Sequence, residues 1–502
     1  MTSEKHAQDR AKYGRHIVFM FSTVLLTHLV SLIRLPALTK SLGPSLFGTW
    51  SLIGTTVSLV VPFAAIAFGT SIVRFLAAEK DRARIRDDFL SASVIVFFSG
   101  AAFSLVMWLS SGFLATTVLR EASSAPYFRL ASVLILLRSI TQLPLAYFRM
   151  QRRMVLFATA TFLQNLIQVA LITAVVLLHL GLPALIWVTI LSELAFYLAI
   201  MAIAMWNSGV RPPTFRRMGT YLRWGIPLTP NTALLWIMNA SDRYLVGFFK
   251  GSADVGVYAA AYSIGSYAIL FASTLRTVTY PNIVKSFDEG FQDETKRYLS
   301  DSFRLLMAIS IPSAIGLSML ARPLLAVLTT AQFTGGAWVV PLVAFANVAF
   351  AMYQIPISVF HIVNQTHRTV RLLGLSAFLN VGLNLLLIPR MGIVGAALAT
   401  LVAYGTLGVL TLIQTRRILR FSLHPVFLLK VVLSSAVMAI GVWAINPSSL
   451  VCILVAVCAG GLIYVILMLI TGAISESERT IVIKQVRGFF RGVAGRFPPR
   501  RQ

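Results

Sequence analysis

Six basic side chains stand within or at the rim of long apolar stretches: Arg34, Arg129, Arg138, Arg276, Arg304 and Lys430. Few acids accompany them, namely Glu193, Asp242 and Asp301. A charge at the centre of a membrane span costs ~2.5–3.5 kcal/mol on insertion scales, so it faces a cavity or a partner. Guanidinium groups present a planar fork of donors suited to phosphate oxygens. The chemistry on offer is therefore anion binding without covalent steps. Arg138, midway along the fourth stretch, is either a cavity ligand for an anion or the structural partner of Glu193. Arg34 and Asp242 lie at similar depth, as a pair between two halves or as substrate contacts. Arg276 and Arg304 lie nearer the opposite surface, where snorkelling would explain them. Together with Arg74 and Arg149 they could instead ring an inner mouth. Asp242, Glu193 and His28 are the candidates for gating or ion coupling, and His361 is a second intramembrane imidazole. Gln142, Asn165, Gln168, Asn239, Asn347, Asn380 and Asn384 could meet sugar hydroxyls or bond neighbouring helices.

The elements that must hold these groups follow from hydropathy. Of 502 residues 57% are hydrophobic and 12% charged, with a mean hydropathy of +0.80. Soluble domains carry about 25% charged residues, so this is a membrane-protein composition. At roughly 20 apolar residues per crossing, spans are expected at 14–36, 46–71, 88–110, 127–149, 154–178, 183–206, 222–247, 255–280, 299–320, 337–362, 369–388, 393–414, 427–445 and 450–471. All should be helices, since lipid offers the backbone no partners. Pro62, Pro144, Pro227, Pro230, Pro281, Pro312 and Pro356 predict kinks. The fold class is an all-α polytopic membrane protein of 14 transmembrane helices. The first apolar run lacks a small-residue cleavage site and reads as a retained span. Cys452 and Cys458 share one apolar run and form no disulfide framework.

Basic residues alternate between loops. The N-terminus, every second loop and the tail hold 31 of the 43 Lys and Arg, against six (Lys40, Arg120, Arg243, Lys250, Arg322 and Arg390) in the intervening loops. By the positive-inside rule both termini are cytoplasmic. The net charge of +26 is then an orientation signal rather than a nucleic-acid footprint.

Two turns resemble each other. Gly43-Pro-Ser-Leu-Phe-Gly48-Thr-Trp50 and Gly251-Ser-Ala-Asp-Val-Gly256-Val-Tyr258 share glycines five apart and an aromatic two residues later. Span twelve opens similarly, with Gly392 and Gly395. The 208-residue offset is either a repeat of six spans or chance recurrence of glycine. A repeat would give two parallel six-helix lobes, 1–206 and 222–414, joined by a cytoplasmic linker at 207–221, with helices 13 and 14 over 427–471. Carriers built so bind substrate near the midplane between lobes. The basic tail, 475–502, starts with the capping box Ser475-x-x-Glu478 and is an interfacial segment on anionic lipid or a disordered extension.

No phosphate loop, H-E-x-x-H motif or cysteine metal cluster is present in the sequence, and no loop could hold an enzymatic domain. The chain is expected to be no enzyme and to carry no cofactor. Its work would come from H⁺ or Na⁺ coupling, the membrane potential or the substrate gradient.

The segments RLPALTKSLGPSLFGTW (Arg34–Trp50) and SDRYLVGFFKGSADVGVYAAAYSI (Ser241–Ile264) resemble the polysaccharide-transporter family of the multidrug/oligosaccharidyl-lipid/polysaccharide exporter superfamily, which includes the O-antigen flippases. The resemblance implies a V-shaped pair of six-helix lobes and alternating access. It also implies transfer of an undecaprenyl-pyrophosphate-linked oligosaccharide from the cytoplasmic to the periplasmic leaflet of a bacterial inner membrane. The product would be lipopolysaccharide O-antigen, capsule or exopolysaccharide. Arg138, Arg276 and Arg304, with Arg34, Arg74 and Arg149, would serve the pyrophosphate. A polysaccharide polymerase and a chain-length regulator are implied partners beside membrane lipids. The sequence leaves open a lipid II flippase, a cation-coupled multidrug antiporter and a non-transporting membrane scaffold.

Overall fold

A computed structural model describes residues 2–209, 212–270 and 272–473 of the chain. The Ser475–Glu478 capping box and the basic tail lie outside the described residues. Every regular element among those described is a helix. In chain order these are α1 (Thr2–Ala64), α2 (Phe68–Leu76), α3 (Arg82–Phe113), α4 (Ala125–Ala131), α5 (Val133–Met150), α6 (Met154–Leu177), α7 (Gly181–Ser208), α8 (Met218–Gly225) and α9 (Thr229–Lys250). There follow α10 (Ser252–Gly265), α11 (Ala272–Asp288), α12 (Gln292–Met319), α13 (Ala321–Leu328), α14 (Val339–Gln354), α15 (Ile357–Ile362), α16 (Thr366–Ile418), α17 (Pro425–Ile445) and α18 (Leu450–Ile470). Among the described residues, ten helices are long and apolar enough to cross a membrane. The last of them has a mean hydropathy of 2.9 over its most apolar stretch, of which 17% is buried within the protein. So apolar a surface left uncovered requires lipid around it. The chain is an integral membrane protein.

The expected tight turns sit where glycine permits them. Gly43 (φ 65°) breaks α1, Gly392 (φ 58°) breaks α16, and Gly251 (φ 89°) separates α9 from α10. A side chain is strained at such φ values. Other boundaries differ from the sequence pattern for local reasons. The second expected stretch stops at Ala64, two residues after Pro62, where Ile66 and Ala67 turn left-handed (φ 49° and 53°) before α2 begins. The fourth is divided at Ser132, whose hydroxyl donates to the Arg129 carbonyl at 2.7 Å. The seventh and eighth are segmented by 3₁₀ turns at Ile226–Leu228, which holds Pro227, and at Ser266–Ile269.

The principal contact between the first and second halves of the chain pairs α1 beyond Gly43 with α10. It is backbone on backbone. A Cβ on Gly48 would fall 1.9 Å from the Ser252 carbonyl oxygen, and one on Gly256 would fall 2.0 Å from that of Pro44. The two distances are related by the same offset of 208 residues. Flanking contacts repeat the scheme: Thr39 donates to the Leu328 carbonyl at 3.3 Å, while Gly247 lies against the Val118 carbonyl. This end of the bundle is here called the glycine end. At the opposite, basic end, α8 docks on α2 through Gly225 against the Ile66 carbonyl and Tyr221 against Phe75, with ring centroids 5.1 Å apart. By contrast α11 packs on α12, α14 and α15, all from its own half. Helices α17 and α18 pack on each other and on α12, where Tyr464 donates to the Ala308 carbonyl at 2.7 Å.

Candidate substrate cavity and its charged residues

In the first half, α5, α6 and α7 converge on one carboxylate. Arg138 Nε donates to Glu193 Oε1 at 2.9 Å and Gln164 Nε2 donates to Oε2 at 2.7 Å. The Glu193 side chain is 6% exposed and that of Arg138 34%. Both carboxylate oxygens are thereby satisfied. The guanidinium spends only its Nε on the pair, and its outer amino groups make no hydrogen bond among the described residues. Structural pairing with Glu193 and a partly exposed guanidinium edge thus coexist in one side chain. Arg34, on α1 before Gly43, is within electrostatic reach of Arg138 and of Tyr267 from the second half. Two cations of the first half thus lie within electrostatic reach of each other, and one of them also of a phenol of the second half. Like charges held together in this way favour an anion between them.

Asp242 does not join them. Among the described residues it forms no ion pair with Arg34, contrary to the expectation of a pair between halves. Its carboxylate is 1% exposed and turned into the core of its own half. It accepts from Tyr258 Oη of α10 and, at 2.8 Å, from the Arg243 backbone N–H. The driving reason is burial, since an interior carboxylate needs donors close by. Nearby, Tyr404 Oη donates to Asn239 Oδ1 at 2.7 Å, and Arg243 stacks over the Tyr262 ring at 4.9 Å. Asn384 Nδ2 donates to Asn380 Oδ1 at 3.0 Å, leaving Asn380 Nδ2 and Asn384 Oδ1 buried without partners among the described residues.

The remaining arginines are dispersed. Arg276 on α11 donates to Gln354 Oε1 at 3.3 Å and lies within electrostatic reach of His361, whose ring meets Tyr280 edge-on at 6.2 Å. Arg304 stacks on Phe427 of α17 at 4.9 Å, Arg74 on Trp224 of α8 at 4.9 Å, and Arg149 on Phe157 of α6 at 5.5 Å. Each uses the negative face of an aromatic ring, and each does so at a different helix junction. The structure therefore places Arg34 within electrostatic reach of Arg138, and gives Arg276, Arg304, Arg74 and Arg149 each a separate partner. His28 stands on α1 with its side chain outside the described residues. The amides divide by use: Asn347 and Asn239 donate to carbonyls one turn back, at 2.9 and 2.6 Å. Gln164 and Tyr267 complete the site without having been singled out in the sequence. Gln164 could have been found by its position beside Asn165; Tyr267 carried no signal.

A sequence model of the family described as "Polysaccharide biosynthesis protein" matches residues 37–337. The chain belongs to this family. The match covers both glycine turns, Arg138 and Glu193, and agrees with the polysaccharide-transporter resemblance carried by those turns. Two relatives from Haloferax volcanii are similar in part. They are the "Probable low-salt glycan biosynthesis flippase Agl15", 24% identical over 32% of this chain and 34% of its own length, and the "Probable flippase AglR", 27% identical over 33% and 35%. The chain thus spans about a third of the length of these relatives in the matched regions. Among solved structures, the lipid II flippase MurJ in an inward closed conformation has a TM-score of 0.75 at 17% identity, covering 91% of this chain and 99% of that one. An inward-facing MATE multidrug transporter of the MOP superfamily has a TM-score of 0.67 at 13% identity, covering 80% and 98%. At these identities the likeness is one of fold. The family member therefore has the fold of the MOP-superfamily transporters.

Proposed function

We propose that this family member is a flippase carrying an undecaprenyl-pyrophosphate-linked oligosaccharide from the cytoplasmic to the periplasmic leaflet of a bacterial inner membrane, for surface polysaccharide synthesis. The observation that carries the reading is that Arg34 lies within electrostatic reach both of Arg138 and of Tyr267 from the second half. In this reading the chain crosses the membrane 14 times with both termini cytoplasmic. Two six-helix lobes, 1–206 and 222–414, joined by the 207–221 linker, rock against each other so that the basic end and the glycine end open in turn. The pyrophosphate enters between Arg34 and Arg138, Arg276 meets it nearer the basic end, and the polyprenyl chain stays in lipid. A membrane potential negative inside favours outward movement of an anion by ~2.3 kcal/mol per charge per 100 mV. Asp242, isolated from the substrate space, is the group through which H⁺ or Na⁺ would couple. A polymerase and a chain-length regulator would receive the product.

A second reading, carriage of lipid II, draws support from the fold likeness to MurJ and rests on the same arginines. One experiment separates the two. Lipids from a strain lacking the gene should contain pyrophosphate-linked repeat units stranded on the cytoplasmic face while peptidoglycan synthesis continues. Unchanged lipid intermediates and unchanged surface glycan would overturn the proposal. Stranded lipid II would transfer it to the second reading.

A further inference from the structure

Where the two glycine turns meet, the structure places a carboxylate to which the proposed transport cycle gives no role. Ser45 and Ser252, one from each turn, have hydroxyl oxygens 2.7 Å apart. Both lie within hydrogen-bonding distance of Glu121 Oε2, at 3.0 and 2.7 Å, and Ser123 donates to Oε1 at 3.2 Å. Glu121 precedes α4 in the first half of the chain, and Ser252 is the first residue of α10 in the second half. Ser45 is the second residue after the break at Gly43. Two helix N-termini, each with a partial positive charge, therefore converge on one anion.

We propose that Glu121 is the keystone of a clasp that holds the two halves shut at the glycine end, and that Ser252 must leave it for that end to open. The inference rests on the alternating-access reading above and adds a residue to it. Its chemistry suits repeated opening. A carboxylate accepting from hydroxyls makes charge-assisted bonds stronger than neutral ones. Glu121 and Ser45 are only half-buried, so water can take the place of Ser252 when the halves part, and no buried charge is stranded. A buried ion pair in this position would leave two uncompensated charges on opening. The glycine contact beneath supplies the close approach that lets three oxygens from three segments meet. Glu121 thus acts through the interface and is a positioning residue.

The test uses the full chain in membranes, with Cys452 and Cys458 replaced by serine. The S45C/S252C variant should form a disulfide on mild oxidation, read as a linked peptide by mass spectrometry. Oxidation should arrest glycolipid transfer and reductant restore it. Separately, A259C reports on the interface: Ala259 is 3% exposed and lies three residues beyond Gly256 on α10, on the same helix face. Adding E121A should raise its labelling by a membrane-impermeant maleimide at least fivefold, with E121Q between E121A and the parent. Absence of the disulfide, or A259C labelling unmoved by E121A, would overturn the clasp. So would undiminished transfer by the oxidised variant. The labelling arm does not depend on substrate: if it behaves as expected while the parent moves no glycolipid, the clasp stands and the proposed cargo fails.

Discussion

Removing Arg138 should damage the protein before it reveals anything about transport. Glu193 is 6% exposed and would keep only the bond from Gln164 at 2.7 Å. Breaking a buried ion pair from one side costs about 3–5 kcal/mol. Arg138 is itself a third exposed, so solvent screens part of the attraction and a loss of about 2–3 kcal/mol is expected for R138A. In R138A/E193Q the stranded charge is gone and the amide oxygen still accepts from Gln164. That variant should recover at least half the loss, a coupling of about 1–2 kcal/mol. The measurement is thermal unfolding of purified protein in detergent at a fixed scan rate. One kcal/mol moves the midpoint by about 2–4 °C in a domain of 150–250 residues and by less in a longer chain. R138A should therefore fall by a few degrees and the double variant by about half as much. Stability losses that simply add, to within about 0.5 kcal/mol, would refute the account of a satisfied buried carboxylate.

Three further outcomes follow from the same geometry. R34A removes a cation that forms no ion pair among the described residues, so its unfolding midpoint should stay put while transfer of lipid-linked oligosaccharide into proteoliposomes falls about 10–100-fold, the value of one or two charge-assisted contacts; wild-type transfer would exclude Arg34 from the site. G48A and G256A each force a methyl group to within 2 Å of a carbonyl oxygen, an overpacking of about 1–3 kcal/mol. Label-to-label distances across the glycine end should lengthen, and an unaltered distribution would refute the contact. D242N should leave Tyr258 hydrogen-bonded and the protein folded while abolishing any dependence of transfer on an imposed Na⁺ or H⁺ gradient; retained dependence would remove Asp242 from coupling.

Sequence and structure part company at particular residues. Helix positions were legible because hydropathy sets them, and the turns at Gly43, Gly251 and Gly392 because φ near +60 to +90° selects glycine. The two glycine motifs could be matched to each other, but nothing in their spacing says that they touch. That is a tertiary fact, visible only once α1 and α10 cross. Arg34 and Asp242 share a depth, yet depth carries no azimuth: Asp242 is turned into its own core, bonded to Tyr258, and forms no ion pair with Arg34 among the described residues. That Arg304 stacks on Phe427, over a hundred residues away, is likewise invisible in the sequence. Glu121 escaped notice because a loop acid needs no explanation in sequence. Of the site, the pairing of Arg138 with Glu193 was among the alternatives, while Gln164 and Tyr267 emerged only from packing.

The reciprocal seating of Gly48 on Ser252 and Gly256 on Pro44 has the form of an isologous interface, in which one surface meets its own counterpart about a two-fold axis. A side chain gained at either glycine would strike the opposite turn's carbonyl. The halves differ elsewhere, with Arg138 and Glu193 in one and Asp242 and its tyrosines in the other. At these two glycines each turn sets the limit on what the other can carry.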